Sequence, residues 1–103
     1  MIFFVTTPDN KTAVELANGI VQRKIAACTN IIHKITSIYW WEGKINTDSE
    51  NLMIIKTSKK KSDDLIAFIK NNHPYKVPEC IGIKITKGLQ PYLQWIMDLT
   101  TER

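Results

Sequence analysis

The side chains able to do chemistry in this chain are few, and their spacing restricts what they can do together. Cys28, His33, His73 and Cys80 are the soft and borderline donors that a copper site draws on. None stands at zinc-finger or His-Glu-x-x-His spacing, which would set paired ligands on one local scaffold. A thiol nucleophile needs a helix amino terminus or a neighbouring cation to lower its pKa, and the sequence around Cys28 provides neither. With four glycines in total, the chain holds no phosphate-cradling loop, no dinucleotide motif and no Gly-x-Ser-x-Gly elbow. These absences point away from an enzyme. A second set is more coherent. Tyr39, Trp40, Trp41, Glu42, Lys44, Tyr75, Glu79, Tyr92 and Trp95 combine aromatic surface with a few charges. That mixture suits either a small-molecule cleft between subunits or the anchoring core of an interface. Lys44, Lys76 and Lys84 are the candidate contacts for a small anion in such a cleft.

The length of 103 residues is that of a single domain, 1–103, able to bury one core without disulfides or a structural metal. Two cysteines without a Cys-x-x-Cys pair make no disulfide framework, so both thiols are expected reduced, in the cytoplasm. Ile2-Phe3-Phe4-Val5 follows Met1 directly and reads as a strand, not as a secretion signal. No run of eighteen apolar residues exists to cross a membrane. The formal net charge is +4, and three of the cations are consecutive at Lys59, Lys60 and Lys61. That run is read as a solvated turn in preference to a patch for nucleic acid or anionic lipid.

The elements that must carry these side chains are legible from periodicity. Residues 2–6 form a short apolar strand. Thr7-Pro8-Asp9 then opens a helix whose Ala13, Leu16, Ala17, Ile20 and Val21 fall on one stripe. Residues 27–41, rich in β-branched and aromatic side chains, and residues 44–57 form two arms of a hairpin turned at Glu42-Gly43. Ser62 is a candidate N-cap for a second helix, with Asp63 and Asp64 in its first turn and Leu65, Ile66, Phe68 and Ile69 on its buried side. His73-Pro74 ends it. Residues 77–86 are a further strand candidate with Pro78 at its start, and Pro91 begins a terminal helix through about Leu99. Tyr92, Leu93, Trp95, Ile96 and Leu99 are too many for one stripe and call for a second packing partner.

This order is that of an α+β, ferredoxin-like split βαβ: two helices on one face of an antiparallel four-stranded sheet, plus an appended helix. Right-handed crossovers place the first and third strands centrally and the second and fourth at the edges. A fifteen-residue hairpin arm extends about 50 Å, whereas a domain of this size is about 35 Å across. The hairpin must overhang, and its exposed edges and aromatic tip call for further copies of the chain. RNA-recognition domains share this fold but carry stacking aromatics in an Arg/Lys-Gly-Phe/Tyr pattern, which residues 52–57 lack. No nucleic-acid partner is expected.

Ala26-Ala27-Cys28-Thr29-Asn30-Ile31-Ile32 and Thr36-Ser37-Ile38-Tyr39-Trp40-Trp41-Glu42-Gly43-Lys44 closely resemble the CutA divalent-cation tolerance family. His73-Pro74-Tyr75-Lys76-Val77-Pro78-Glu79 and Pro91-Tyr92-Leu93-Gln94-Trp95 match its later motifs in order. The resemblance implies a homotrimer with the long hairpins wrapped about its three-fold axis, similar to PII-type signalling proteins. It also implies a link to tolerance of copper and other divalent cations, and no catalytic activity. In some members a metal is associated with a first-strand cysteine and a histidine pair. The matching positions here are Val5 and Asn72-His73, which leaves His73 as the candidate metal ligand, with helix-end capping or a hydrogen bond to Glu79 as the role preferred for it. A PII-like regulator binding a small anion is the alternative reading.

Overall fold

The computed structural model describes residues 1–101. Its elements run β1 (Ile2–Thr7), α1 (Asn10–Gln22), β2 (Cys28–Trp41), β3 (Lys44–Lys56), a single 3-10 turn (Lys59–Lys61), α2 (Ser62–Asn72), β4 (Ile81–Ile83) and α3 (Gln90–Thr100). The four strands form one sheet in the order β2-β3-β1-β4, so β1 and β3 are central as the crossover rule requires. All three pairings are antiparallel.

Alternation along the strands makes the sheet two-faced. Phe3 and Val5 of β1 lie opposite Ile55 and Met53 of β3, and all four are buried. Leu16 and Ile20 of α1 and Leu65 and Ile69 of α2 close over them to complete the core. Each such side chain contributes about 1.5–3 kcal/mol on leaving water. Gly82 of β4 faces Phe3 across the ladder, where an added Cβ would lie 2.6 Å from the ring. The reverse face carries Ile2, Phe4, Ile32, Leu52, Ile54, Ile81 and Ile83, by the same registers. Ile32, Ile81 and Ile83 there are 45%, 57% and 52% exposed. An apolar face left open to this extent is unusual for a sheet exposed on one side.

The hairpin outgrows the sheet. β1 pairs with β3 only as far as Thr7 opposite Asn51, so the stretch of β3 from Lys44 to Glu50 pairs with β2 alone. The molecule measures 45 × 26 × 21 Å in consequence. Glu42 and Gly43 have φ of 51° and 79°, the two positive values of a type I′ turn. At the root of the overhang β2 carries a bulge: Ile32 pairs with Leu52 and Ile35 with Glu50, so His33 and Lys34 oppose Asn51 alone. Lys34 sits at φ 58°, and its backbone N–H donates to the Asn51 side-chain oxygen at 3.0 Å. The bulge advances the parity of β2 by one. It puts Tyr39 and Trp41, rather than Ile38 and Trp40, on the face shared with Glu50.

Three expectations need correction. Ser62 is not the N-cap of α2. The preceding Lys61 (φ −92°, ψ 2°) already turns the chain, so Ser62 is helical and its buried hydroxyl makes no hydrogen bond. Asp63 and Asp64 do occupy the first turn. Ile66 is exposed, as is Val21 on α1, which narrows both stripes. The strand expected over residues 77–86 is only Ile81–Ile83. Continuing its register would set Pro78, which has no N–H, opposite Thr7. Of α3, Ile96 is buried while Tyr92 and Trp95 are each 42% exposed.

Asn51→Ala is expected to cost about 1–3 kcal/mol, because it strands the Lys34 N–H in a bulge. Urea unfolding and accelerated hydrogen exchange at Lys34 check this. An unchanged midpoint would show that the bulge does not depend on that bond.

Candidate ligand cleft

The overhang does not stand free of its own subunit. Beyond Phe4 the outer edge of β1 has no strand beside it among the described residues, and the loop that begins at His73 reaches it at Thr6. The His73 Nε2–H donates to the Thr6 carbonyl at 2.7 Å, while Nδ1 accepts the Tyr75 N–H at 3.1 Å. That pair of bonds fixes one ring tautomer and occupies both nitrogens. His73 is buried at the C-cap of α2, its own N–H bonded to the Ile69 carbonyl. The turn then throws Tyr75 toward the hairpin, its ring 4.8 Å from that of His73. The Tyr75 hydroxyl donates to Glu50 Oε2 at 2.6 Å.

Between this loop and the overhang lies a cleft of about 560 Å³. Thr6, Ser37, Ile38, Tyr39, Trp41, Glu50, Tyr75, Lys76, Val77 and Glu79 line it. Glu50 is only 7% exposed and makes no ion pair among the described residues, although Lys76 shares the cleft. The Tyr39 hydroxyl donates to Asp48, and that bond, more than any burial, raises its pKa. Burial is the larger cause at Tyr75, with the Glu50 bond and charge adding to it, and both raise the phenol. Burial also raises the Glu79 carboxyl, and the Glu50 charge adds to it. The neighbouring Cys80 thiol is pushed up to about 11, first by burial and then by Glu79. It is a poor nucleophile there.

The structure therefore brings together Tyr39, Trp41, Tyr75 and Glu79 from the set singled out by composition. Trp40, 71% exposed, points away from that face, and Glu42 and Lys44 lie at or beside the hairpin turn. Tyr92 and Trp95 stack on each other at 5.4 Å along α3, outside the cleft, with the Tyr92 hydroxyl against the Cys28 thiol. Of the candidate anion contacts only Lys76 reaches the cleft, and it faces two carboxylates there. The expected hydrogen bond from His73 to Glu79 is replaced by the bond to Thr6. Glu50 was missed. Its segment, Asp48-Ser49-Glu50-Asn51, reads as solvated strand edge, and its partner Tyr75 is distant in sequence.

The donors for a metal do not assemble within this subunit. Among the described residues no three His, Cys, Asp or Glu side chains group as a metal site. Val5, at the position of a first-strand cysteine, is fully buried in the core. His33 is exposed in the bulge. Cys28 and Cys80 are free thiols, one on the β2 edge and one just before β4 on the opposite edge.

Residues 1–99 match the family described as CutA1 divalent ion tolerance protein. The human Protein CutA is 47% identical over 94% of this chain and 54% of its own length. The rice Protein CutA 1, chloroplastic, is 44% identical over 99% of this chain and 58% of its own. The chain thus spans little more than half of these curated relatives. A crystal structure of CutA1 from Oryza sativa superposes with a TM-score of 0.95 at 44% identity, covering 99% of this chain and 94% of that one.

Because Glu79 titrates above its ordinary 4.5, folding favours its protonated form. The stability this gives is complete below the ordinary value and lost as pH rises through the raised one. Glu79→Gln is accordingly expected to raise the melting temperature at neutral pH by about 2 °C, the gain disappearing in acid. Calorimetric scans across that range check it, and a lower melting temperature at neutral pH would refute it.

Proposed function

Since the chain belongs to the CutA1 divalent ion tolerance protein family, we propose that it serves the response to divalent metal ions, copper among them, as a non-enzymatic cytoplasmic homotrimer. The observation that carries the assembly is the exposure of one ribbon and one sheet face. Ile38, Trp40 and Ile45 on the overhang are 69%, 71% and 61% exposed, and Ile32, Ile81 and Ile83 leave the reverse of the sheet open. Both sheet edges, β2 and β4, are also unpaired among the described residues. Cyclic joining of one subunit's edge to its neighbour's removes both edges at once, and packing about the axis covers the apolar face. Two free thiols are in keeping with a reducing compartment. No helix among the described residues is long and apolar enough to cross a membrane.

The metal role rests on the family, not on a donor set within the subunit. The two carboxylates in the cleft count against the small-anion reading.

Sedimentation at micromolar concentration is expected to give three times the subunit mass of 11.9 kDa. Trp40→Ala, which lies outside the cleft, should shift that mass toward the monomer on dilution while leaving the sheet's circular dichroism intact. A stable wild-type monomer would overturn the trimer. Calorimetric titration with copper(I) and copper(II), under reducing and non-reducing conditions, tests direct copper binding. Absence of heat in every condition would leave the tolerance role without copper binding by this protein.

A further inference from the structure

The cleft holds a charge that the subunit does not answer. Glu50 is more than nine-tenths buried, receives one neutral donor from Tyr75, and has no cationic partner among the described residues. A buried carboxylate left without a counter-charge is costly unless something completes it. Glu79 lines the same wall and raises the local negative charge, while Lys76 supplies one positive charge without pairing to either. Tyr39, Trp41 and Tyr75 add aromatic rings to the lining, beside Thr6, Ser37, Ile38 and Val77.

We propose that this cleft binds a small organic cation, an alkylammonium or quaternary ammonium ion, held by Glu50 and Glu79 against Tyr39, Trp41 and Tyr75. The volume of about 560 Å³ falls within the range of small-molecule sites. It is far larger than a dehydrated metal ion requires, and no group of three metal donors lies among the described residues. Aromatic faces attract an ammonium through the ring quadrupole, and they do so most strongly where water is thin. The two phenols add a second element of design. Tyr39 and Tyr75 both donate their hydroxyl protons to carboxylates, to Asp48 and Glu50 respectively. They thereby orient the acids and stay uncharged beside the cation. One subunit supplies both carboxylates and all three rings, so the donor set is complete without a metal ion and requires only that a neighbouring copy leave the cleft open.

The test is calorimetric titration of the full chain with tetramethylammonium chloride and n-butylammonium chloride, against sodium chloride at matched ionic strength. Intrinsic Trp41 fluorescence provides a second readout. Saturable binding is expected with a Kd of about 1 mM or tighter. Glu50→Gln, which retains an acceptor for Tyr75, should weaken it about tenfold or more through loss of a charged contact. Glu79→Gln should weaken it by a smaller factor and decides the matter if the Glu50 variant does not fold. Magnesium and copper(II) chlorides serve as competitors. No saturable binding of either ammonium salt overturns the proposal, as would happen if a neighbouring copy filled the cleft with its own cation. Equal affinity in the folded glutamine variants also overturns it. So does tighter, Glu50-dependent binding of a divalent ion.

Discussion

One backbone irregularity decides what this molecule presents to its surroundings. The bulge at His33 and Lys34 lies where β1 stops pairing with β3, and Asn51 serves both events. It is the last residue of β3 opposite β1 and the acceptor for the Lys34 N–H. In a strand the side-chain period is two, so a single inserted residue exchanges the faces of everything beyond it. Without it, Lys34, Thr36, Ile38 and Trp40 would share a face with Glu50. With it, Ile35, Ser37, Tyr39 and Trp41 do. The cleft, its aromatic walls and the separate exposure of Trp40 all follow from that displacement.

The loop of residues 73–80 is the second half of the same construction. An unpaired edge on β1 beyond Phe4 would expose backbone acceptors to solvent. A longer β4 cannot cover it, because Pro78 brings no donor to the position opposite Thr7. His73 covers it with a side chain, through one ring nitrogen, and uses the other to hold Tyr75. A chain of bonds therefore runs from the Thr6 carbonyl through His73 and Tyr75 to Glu50 on the overhang. It ties the loop to the hairpin near its root and leaves the tip clear. A histidine used in this way is structural, and substituting a metal for either partner would undo one end of the chain.

Much of this fold could be read from residue types, and the limits of that reading have specific causes. The Glu42-Gly43 turn, the core stripes of α1 and α2, and the central placement of β1 and β3 depend on local chemistry or on handedness, both visible in sequence. The bulge depends on neither. It contains no glycine or proline, and its stabilising side chain, Asn51, lies seventeen positions away. Ser62 misled because capping needs an extended backbone, and the 3-10 turn at Lys59–Lys61 had already used that freedom. Glu50 escaped notice for a related reason. Its hydrogen-bond partner, Tyr75, is 25 residues distant, and a run of polar strand residues offers no hint of it. Tyr92 and Trp95, grouped by composition with an intersubunit cleft, lie outside the pocket that one subunit forms by itself.

Family membership and site chemistry answer different questions here. Matching over residues 1–99 establishes descent and shape, and shape is shared closely with the rice structure. A donor set is a property of individual positions, and Val5 in the core and His73 with both nitrogens engaged are not donors as they stand. The cleft is different in kind, since its carboxylates and rings are in place within one subunit. Its outer wall is also the ribbon whose other side carries Trp40 and Ile45 into solvent. Any copy that packs on that side presses on a wall of the cleft, and a ligand that stiffens the wall changes what the copy meets. Coupling of this kind is reciprocal by thermodynamic necessity. A hairpin too long for its own sheet thus gives one element two surfaces, and neither can be occupied with complete indifference to the other.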